Sequence, residues 1–338
     1  MVLTRINWSP TPFYMKAIRH HSFGPPSVLR YEEIESPAPG AGEVRLQVEF
    51  AAVNHFDILS RRGIFPNLPL PRIVGFDCVA TVIETRVARL ALGQRVVVLG
   101  HRLGNGGPGA YAEQVTISAE EVFLVPEDID SEQVVGLGIS YVAALYALER
   151  HLKPLPGETV LIPGASGGVG SAAVQLAKLL GATVLATTST PEKVVRLKAL
   201  GAYVALNYSG CDVATEIKKL TDARGVDACL NAVGGESVQQ SLHCLRRGGR
   251  MVLLGSAAGR HVSIDIFDFL LRELSLSGAT VGKLAPTERY QYFLRLCDWI
   301  RQGKLHVIVD RVFPLADCVA CHEYVEQHAQ FGKVLLKP

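Results

Sequence analysis

A strand-like run at residues 159–162 leads into a glycine-rich loop, GASGGVG at 164–170, which leads directly into a helical stretch. The small residues follow an A-x-G-x-x-G pattern, which lets the backbone turn tightly and approach a diphosphate closely. The diphosphate would lie at a helix N-terminus, where free N–H groups and the helix dipole favour negative charge. This order of elements predicts a dinucleotide site whose loop residues are Ala165, Gly167, Gly168, Val169 and Gly170.

Strand-like and helix-like segments alternate through the middle of the chain. This alternation is typical of a doubly wound parallel sheet with helices on both faces. The predicted strands are 159–162, 183–187, 203–207, 228–232 and 250–254, and the predicted helices between them are 170–180, 191–200, 213–220 and 237–245.

The part of the chain before this region has a different pattern of predicted elements. From residue 15 to about 132 it consists of short β-like runs separated by Gly, Pro and polar turns, which predicts a small β-barrel or sandwich. With 338 residues the chain is long enough for two domains. We expect an α/β protein with one domain at 1–133, completed by 277–338, and a dinucleotide-binding domain at 134–276.

The end of the second strand of the sheet indicates which dinucleotide binds. Proteins that bind NAD place an acidic residue about twenty positions after the loop, where it holds the ribose 2′-hydroxyl. This chain has Thr187, Thr188, Ser189 and Thr190 there, followed by Lys193. Hydroxyls and an ammonium would bind a 2′-phosphate that a carboxylate would repel, so the sequence predicts NADPH rather than NADH.

Charge and composition narrow the range of partners. The net charge is +2, from 34 basic and 32 acidic residues, with no basic stripe, which argues against nucleic acid or an anionic membrane as a partner. No apolar run approaches the roughly eighteen residues of a membrane span, and no signal peptide is evident. We therefore expect a cytoplasmic protein with free thiols.

One cysteine spacing matches a cofactor motif. Cys318, Cys321 and His322 form C-x-x-C-H, the pattern of haem c attachment. The surrounding apolar residues have helical spacing, and cysteine behaves there as a small hydrophobic residue. We interpret the motif as part of a helix that packs in the core.

Five stretches together resemble the medium-chain dehydrogenases/reductases, and most closely their quinone oxidoreductase branch. They are NHFD at 54–57, GIFPNLPLPRIVGFD at 63–77, PGETVLIPGASGGVG at 156–170, NAVGG at 231–235 and FGKVLL at 331–336. The resemblance implies a GroES-like β-barrel catalytic domain completed by the C-terminal tail, a Rossmann domain between them, and the cofactor in the cleft. It also implies a homodimer, sometimes a tetramer, in which Rossmann sheets pair edge to edge.

The resemblance also assigns residues to the cofactor. It implies that Ser189, Lys193 and Tyr208 surround the 2′-phosphate and that Asn54 takes a positioning role near the nicotinamide ribose, while Asp57 is mainly structural. The remaining residues that it implies are Val233 and Gly234 in the loop over the ribose, and Gly255 and Ser256 at the end of the next strand.

The zinc ligands of related alcohol dehydrogenases are missing from this sequence. Those enzymes carry a cysteine near the position of Asn54 and a Gly-His-Glu motif where this chain has Gly75, Phe76 and Asp77. A catalytic zinc needs three protein ligands, and phenylalanine cannot be one of them. We therefore expect no metal.

Without a Lewis acid, hydride transfer to a conjugated acceptor is favoured over alcohol oxidation, because the charge that develops is delocalised. The protein's task becomes positioning and the exclusion of water. The sequence thus predicts an NADPH-dependent reductase whose substrate is a quinone or an α,β-unsaturated carbonyl compound.

Three departures from the resemblance leave the proton donor unassigned. Leu59 and Phe65 stand where many relatives carry tyrosine, and Ala143 stands where a threonine is common. This more apolar pocket would also suit an enoyl reductase dedicated to one biosynthetic pathway. A redox sensor that binds NADPH with little turnover is a third hypothesis. Residues 1–14 precede the start of the resemblance, as an extra arm or an upstream start.

Overall fold

The computed structural model describes residues 13–65, 67–100 and 106–338, so the predicted N-terminal arm lies almost entirely outside the described residues. The strands are β1 (Tyr14–His20), β2 (Leu29–Glu35), β3 (Glu43–Val53), β4 (Arg72–Ile73), β5 (Asp77–Thr85), β6 (Arg95–Leu99), β7 (Gln114–Ser118), β8 (Val122–Leu124), β9 (Thr159–Ile162), β10 (Thr183–Thr188), β11 (Val204–Asn207), β12 (Val226–Asn231), β13 (Leu245–Leu253), β14 (Ser275–Gly278), β15 (Val309–Pro314) and β16 (Lys333–Lys337). The helices are α1 (His55–Arg61), α2 (Ser131–Tyr146), α3 (Gly168–Leu179), α4 (Pro191–Leu200), α5 (Val213–Leu220), α6 (Glu236–Cys244), α7 (Ile266–Leu271), α8 (Pro286–Arg301) and α9 (Cys318–Glu326).

The middle of the chain forms the predicted parallel sheet. Its six strands have the order β11-β10-β9-β12-β13-β14, and every pair is parallel. The chain winds outward from β9 to β11, then returns to β12 and winds the other way, so the winding direction reverses between β9 and β12. In such sheets ligands bind at this reversal, beyond the carboxyl ends of the strands.

The sheet differs from the sequence prediction in two details. β13 begins at Leu245 rather than at 250, because Leu245 already pairs with Val226 before an irregularity in the register. A sixth strand, β14, adds the short segment Ser275–Gly278 at the edge. It runs across the predicted domain boundary at 276, and the domain division itself stays a prediction.

The C-terminal strands β15 and β16 join strands from the first third of the chain in a second sheet. Its seven strands have the order β15-β16-β3-β5-β6-β8, with β7 also paired to β3. The C-terminal strand β16 runs antiparallel to β3 through the pair Leu335 and Ala52. The tail therefore lies in the same sheet as β3, β5, β6, β7 and β8, and a third sheet has the order β2-β1-β4.

Helix α2 joins the two large sheets. Its apolar side chains share one core cluster with Val79 of β5 and Val160 of β9. It consists of two helical pieces that meet at Gly138, where the backbone leaves the helical conformation. The longer helical span Ser131–Leu152 is apolar enough to cross a membrane by length and composition, but 78% of its most apolar window is buried inside the protein. That burial is typical of a core helix.

The C-x-x-C-H residues lie on α9 as a packed helix face. Cys318 and Cys321 are buried in the core cluster beneath the second sheet, and His322 is buried beside them. Burial raises the pKa of Cys321 to about 12, so its thiol stays protonated. Among the residues that the structure describes, no group of three or more His, Cys, Asp or Glu side chains has the arrangement of a metal site.

Candidate active site

A cavity of about 410 Å³ lies beyond the carboxyl ends of β9, β10 and β12, where the winding of the parallel sheet reverses. The start of β16 also lines the cavity, next to the glycine loop. The predicted residues that line it are Asn54, Gly167, Gly168, Val169, Gly170, Ser189, Tyr208 and Val233. The predicted residues Ala165, Lys193, Gly234, Gly255 and Ser256 are not in the lining.

Ala165, Gly234 and Ser256 do not line the cavity, but they make backbone contacts that hold its loops in place. The N–H of Ala165 donates to the carbonyl of Thr187, which ties the glycine loop to β10. Gly234 has φ +75°, and a Cβ built on it would lie 2.6 Å from Cα of Ser256. These positions need small residues because one backbone packs directly on another.

The glycine loop forms a cradle at the start of α3. A Cβ on Gly170 would lie 2.6 Å from both Cα of Ala165 and the carbonyl oxygen of Gly164, so the helix starts tightly against the loop. A Cβ on Gly167 would meet only the Gly164 carbonyl, at 3.8 Å, because this residue faces the open cavity. Free N–H groups at the first turn of α3 border that open space, which fits a diphosphate.

The end of β10 supplies hydroxyl groups to the cavity. Thr188 is 1% exposed and lines the cavity, and its Oγ1 has no hydrogen-bond partner among the described residues. Buried polar atoms in native proteins nearly always have a partner, so this hydroxyl fits a ligand with polar groups of its own. Ser189 and the half-exposed ring of Tyr208 extend the same wall.

Lys193 contacts the C-terminal part of the chain. Its side chain is 8% exposed, and its ammonium donates to the carbonyl oxygen of His328 at 2.6 Å. Burial lowers the pKa of Lys193. Since His328 itself lines the cavity, the ammonium lies just behind the wall. The role of Lys193 at the 2′-phosphate stays a prediction.

A buried polar network surrounds Asn54, the predicted positioning residue. Its Nδ2 donates to Oδ1 of Asp77 at 2.7 Å, and its Oδ1 accepts from the ammonium of Lys333 at 2.7 Å. Lys333 also donates to the hydroxyl of Ser140 at 3.1 Å and to the carbonyl of Val53 at 3.2 Å. All three ammonium protons therefore have acceptors, and four elements of the chain meet at this point.

Sequence reasoning missed Lys333 and Ser140. Lys333 is 2% exposed and lines the cavity, and a Cβ on Gly168 would lie 2.7 Å from its Cδ. A signal was available in the motif FGKVLL, because a lysine at the start of an apolar strand is expensive to bury unless it is paired. Burial lowers the pKa of Lys333, and the carboxylates of Asp77 and Asp57 oppose that shift.

Asp57 forms the capping box of α1 together with Asn54. Its Oδ2 accepts from the backbone N–H of Asn54 at 2.9 Å and from the hydroxyl of Tyr111 at 3.2 Å, so it caps α1. Burial raises its pKa to about 7. His55, the next residue after Asn54, lines the cavity, and burial lowers its pKa to about 4, so its imidazole is neutral at neutral pH.

The chain is similar to known proteins over almost its whole length. Two family models match, "Alcohol dehydrogenase GroES-like domain" over residues 40–127 and "Zinc-binding dehydrogenase" over residues 168–299. A 2-haloacrylate reductase of Burkholderia is 32% identical, with 96% of this chain and 99% of that protein covered. The chain belongs to the medium-chain dehydrogenase/reductase superfamily, in its quinone oxidoreductase-like branch.

Further members of the branch extend the likeness. A quinone oxidoreductase of Pseudomonas aeruginosa is 29% identical over 96% of this chain and 99% of its own length. The crystal structure of Escherichia coli quinone oxidoreductase complexed with NADPH superposes with a TM-score of 0.89 at 27% identity, covering 96% of this chain and 100% of that one. The fold prediction, a GroES-like domain with a Rossmann-like parallel sheet, is confirmed.

Phe76, which stands at the position of the missing zinc ligand, belongs to an aromatic stack. Phe76 packs on Phe56 with ring centroids 4.3 Å apart, and Phe56 stacks on Phe65 at 4.6 Å. Ala143 is buried as well. Phe65 and Ala143 lie outside the cavity lining, so the more apolar pocket stays a prediction, as does zinc independence.

Proposed function

We propose that the protein is an NADPH-dependent reductase that transfers a hydride to a quinone or an α,β-unsaturated carbonyl compound without a metal. The observation that carries the proposal is the cavity itself, which brings the glycine loop, the β10 hydroxyls and Asn54 together at the reversal of the sheet. The NADPH complex of the E. coli quinone oxidoreductase supports the same cofactor.

The residues of this chain would hold the cofactor along the cavity. The loop from Gly167 to Gly170 and the first turn of α3 would receive the diphosphate, with the ammonium of Lys333 beside it. Ser189 and Tyr208 would border the 2′-phosphate, and Asn54 the nicotinamide ribose. When bound, NADPH supplies the hydride, and the protein contributes position and the exclusion of water.

Oxidation of NADPH in the presence of candidate acceptors tests this function. We expect turnover with quinones or with conjugated enones, little turnover with saturated ketones, and no loss of activity after treatment with a chelator. Selective turnover of enoyl thioesters would favour a pathway-dedicated enoyl reductase, and binding without turnover would favour a redox sensor. One tightly bound zinc per chain, required for activity, would refute the metal-free proposal.

Replacement of Lys193 tests the choice of cofactor. We expect Lys193→Ala to weaken NADPH by about ten- to a hundredfold, since a charge-assisted hydrogen bond contributes roughly 1.5–3 kcal/mol and about 1.4 kcal/mol is a factor of ten. NADH lacks the 2′-phosphate and should bind almost as before. KM values for both cofactors decide the matter. Equal losses for the two would show that Lys193 only holds His328, and a wild type that prefers NADH would refute the assignment.

We also propose that the protein is a homodimer that pairs through β14. Among the described residues β14 has a strand neighbour on one side only. The adjoining helix α7 exposes Ile266, Phe267, Leu270 and Leu271, each at least 61% accessible. An exposed strand edge and an apolar patch are usually covered in native proteins. A two-fold axis at this edge would pair β14 with a second copy and cover both α7 helices.

Sedimentation velocity tests the dimer. We expect twice the chain mass for the wild type and a monomer for Phe267→Asp combined with Leu270→Asp, because charge would be buried at the interface. Leu92→Asp is the control, since Leu92 is also exposed, at 68%, but lies in the other sheet's region. A double variant that remains dimeric would place the interface elsewhere.

A further inference from the structure

Asp77, the first residue of β5, is a buried carboxylate that receives hydrogen bonds from two separate parts of the chain. The Nδ2 of Asn54 donates to its Oδ1 at 2.7 Å. The backbone N–H of Ile139 donates to its Oδ2 at 2.9 Å. Each carboxylate oxygen therefore holds one segment of the cavity wall.

The first of these bonds decides how the Asn54 amide is turned. A side-chain amide has one donating end and one accepting end, and both carboxylate oxygens of Asp77 accept from N–H donors. Asn54 must therefore turn Nδ2 toward Asp77, which leaves Oδ1 to face the ammonium of Lys333 at 2.7 Å. The opposite orientation would place an amide donor against the ammonium.

The second bond sets the break in α2. A Cβ built on Gly138 would lie 2.2 Å from Oδ2 of Asp77, so the carboxylate occupies the space that a side chain would need. The next N–H, that of Ile139, donates to the same oxygen. Ser140 follows directly, and its hydroxyl accepts from Lys333 at 3.1 Å. Asp77 thus positions two of the three acceptors of the Lys333 ammonium.

We infer that Asp77 is a positioning residue for cofactor binding, which acts through Asn54 and Ser140 to hold the ammonium of Lys333, whose Cδ packs beside Gly168. The inference rests on the proposed function, since it assigns Lys333 to the diphosphate end of NADPH. An asparagine at this position has the same shape but a single acceptor oxygen. It cannot accept from both N–H donors, so the hydrogen bond to Asn54 or the one to the backbone of Ile139 at the break in α2 is lost.

A double-mutant cycle on the full-length protein tests this inference. The dissociation constants of NADPH and NADH are measured by fluorescence titration for wild type, Asp77→Asn, Lys333→Met and the double variant. We expect Asp77→Asn to weaken both cofactors about tenfold, the effect of one charge-assisted hydrogen bond. The double variant should bind no more weakly than Lys333→Met alone, because Asp77 acts through Lys333. Unchanged affinity in Asp77→Asn, or losses that multiply in the double variant, would overturn the inference.

Asp227→Asn is the matched control. Asp227 is also buried and accepts from the backbone N–H of Thr159 at 2.8 Å, but it lies outside the cavity lining. It should lose stability while keeping the cofactor affinity of the wild type. If Asp77→Asn does not fold, Ser140→Ala with and without Lys333→Met gives the same comparison, and multiplied losses there contradict the inference. A wild type that binds neither cofactor refutes the proposed function instead.

Discussion

In a Gly170→Val variant we expect the binding of NADPH to be lost. A Cβ at this position would lie 2.6 Å from two backbone atoms, Cα of Ala165 and the carbonyl oxygen of Gly164, and backbone cannot turn aside as a side chain can. The first turn of α3 must then move away from the loop, which removes the N–H groups from the diphosphate. Overpacking should also lower the free energy of unfolding by about 1–3 kcal/mol. Fluorescence titration and thermal unfolding measure the two effects.

Gly167→Val separates the loss of binding from the loss of stability. Its Cβ would meet only the Gly164 carbonyl at 3.8 Å, so the valine would stand in the cavity without straining the fold. We expect this variant to melt like the wild type and yet to bind no NADPH. Gly282→Ala is the neutral control, since its nearest contact would be at an ordinary 3.5 Å. Normal NADPH affinity in Gly167→Val and Gly170→Val would show that the diphosphate lies elsewhere.

Lys333→Met should weaken NADPH and NADH alike, by about ten- to a hundredfold, because the variant removes the positive charge next to the proposed diphosphate site. Both cofactors carry the diphosphate, and Lys333 lies beside Gly168 at the start of α3. This equal loss contrasts with the selective loss of NADPH expected for Lys193→Ala. Dissociation constants for the two cofactors in both variants provide the comparison, and a loss confined to NADPH in Lys333→Met would contradict the assignment.

The same variant should change how stability depends on pH. In the wild type the Lys333 ammonium opposes the rise in pKa that burial causes at Asp77 and Asp57. Without the ammonium both pKa values rise further above those of the unfolded chain. A raised carboxyl pKa favours the folded state at low pH, and that stability is lost as pH rises through the folded-state value. The melting temperature of Lys333→Met should therefore fall more than that of the wild type between mildly acidic and mildly alkaline pH.

The parallel sheet and its glycine loop were predictable because local sequence specifies them. The run from Thr159 to Gly170 contains a strand, a turn of small residues and a helix start, and each is determined by neighbours along the chain. The location of the hydroxyl residues at the end of β10 was also predictable, because these residues directly follow a predicted strand. The stack of Phe65 on Phe56 was not predictable, because it depends on how separate segments of the chain pack together.

The sequence by itself determined the α/β architecture, the dinucleotide loop and the family. Each of them depends on short contiguous stretches of residues, whose spacing predicts the local strand, turn or helix. The tertiary structure alone decided which polar groups meet. Lys333 reaches Asn54 across 279 residues, and Lys193 reaches His328 across 135 residues. No local pattern encodes such contacts, because a buried ammonium takes whichever acceptors the packed elements leave within reach.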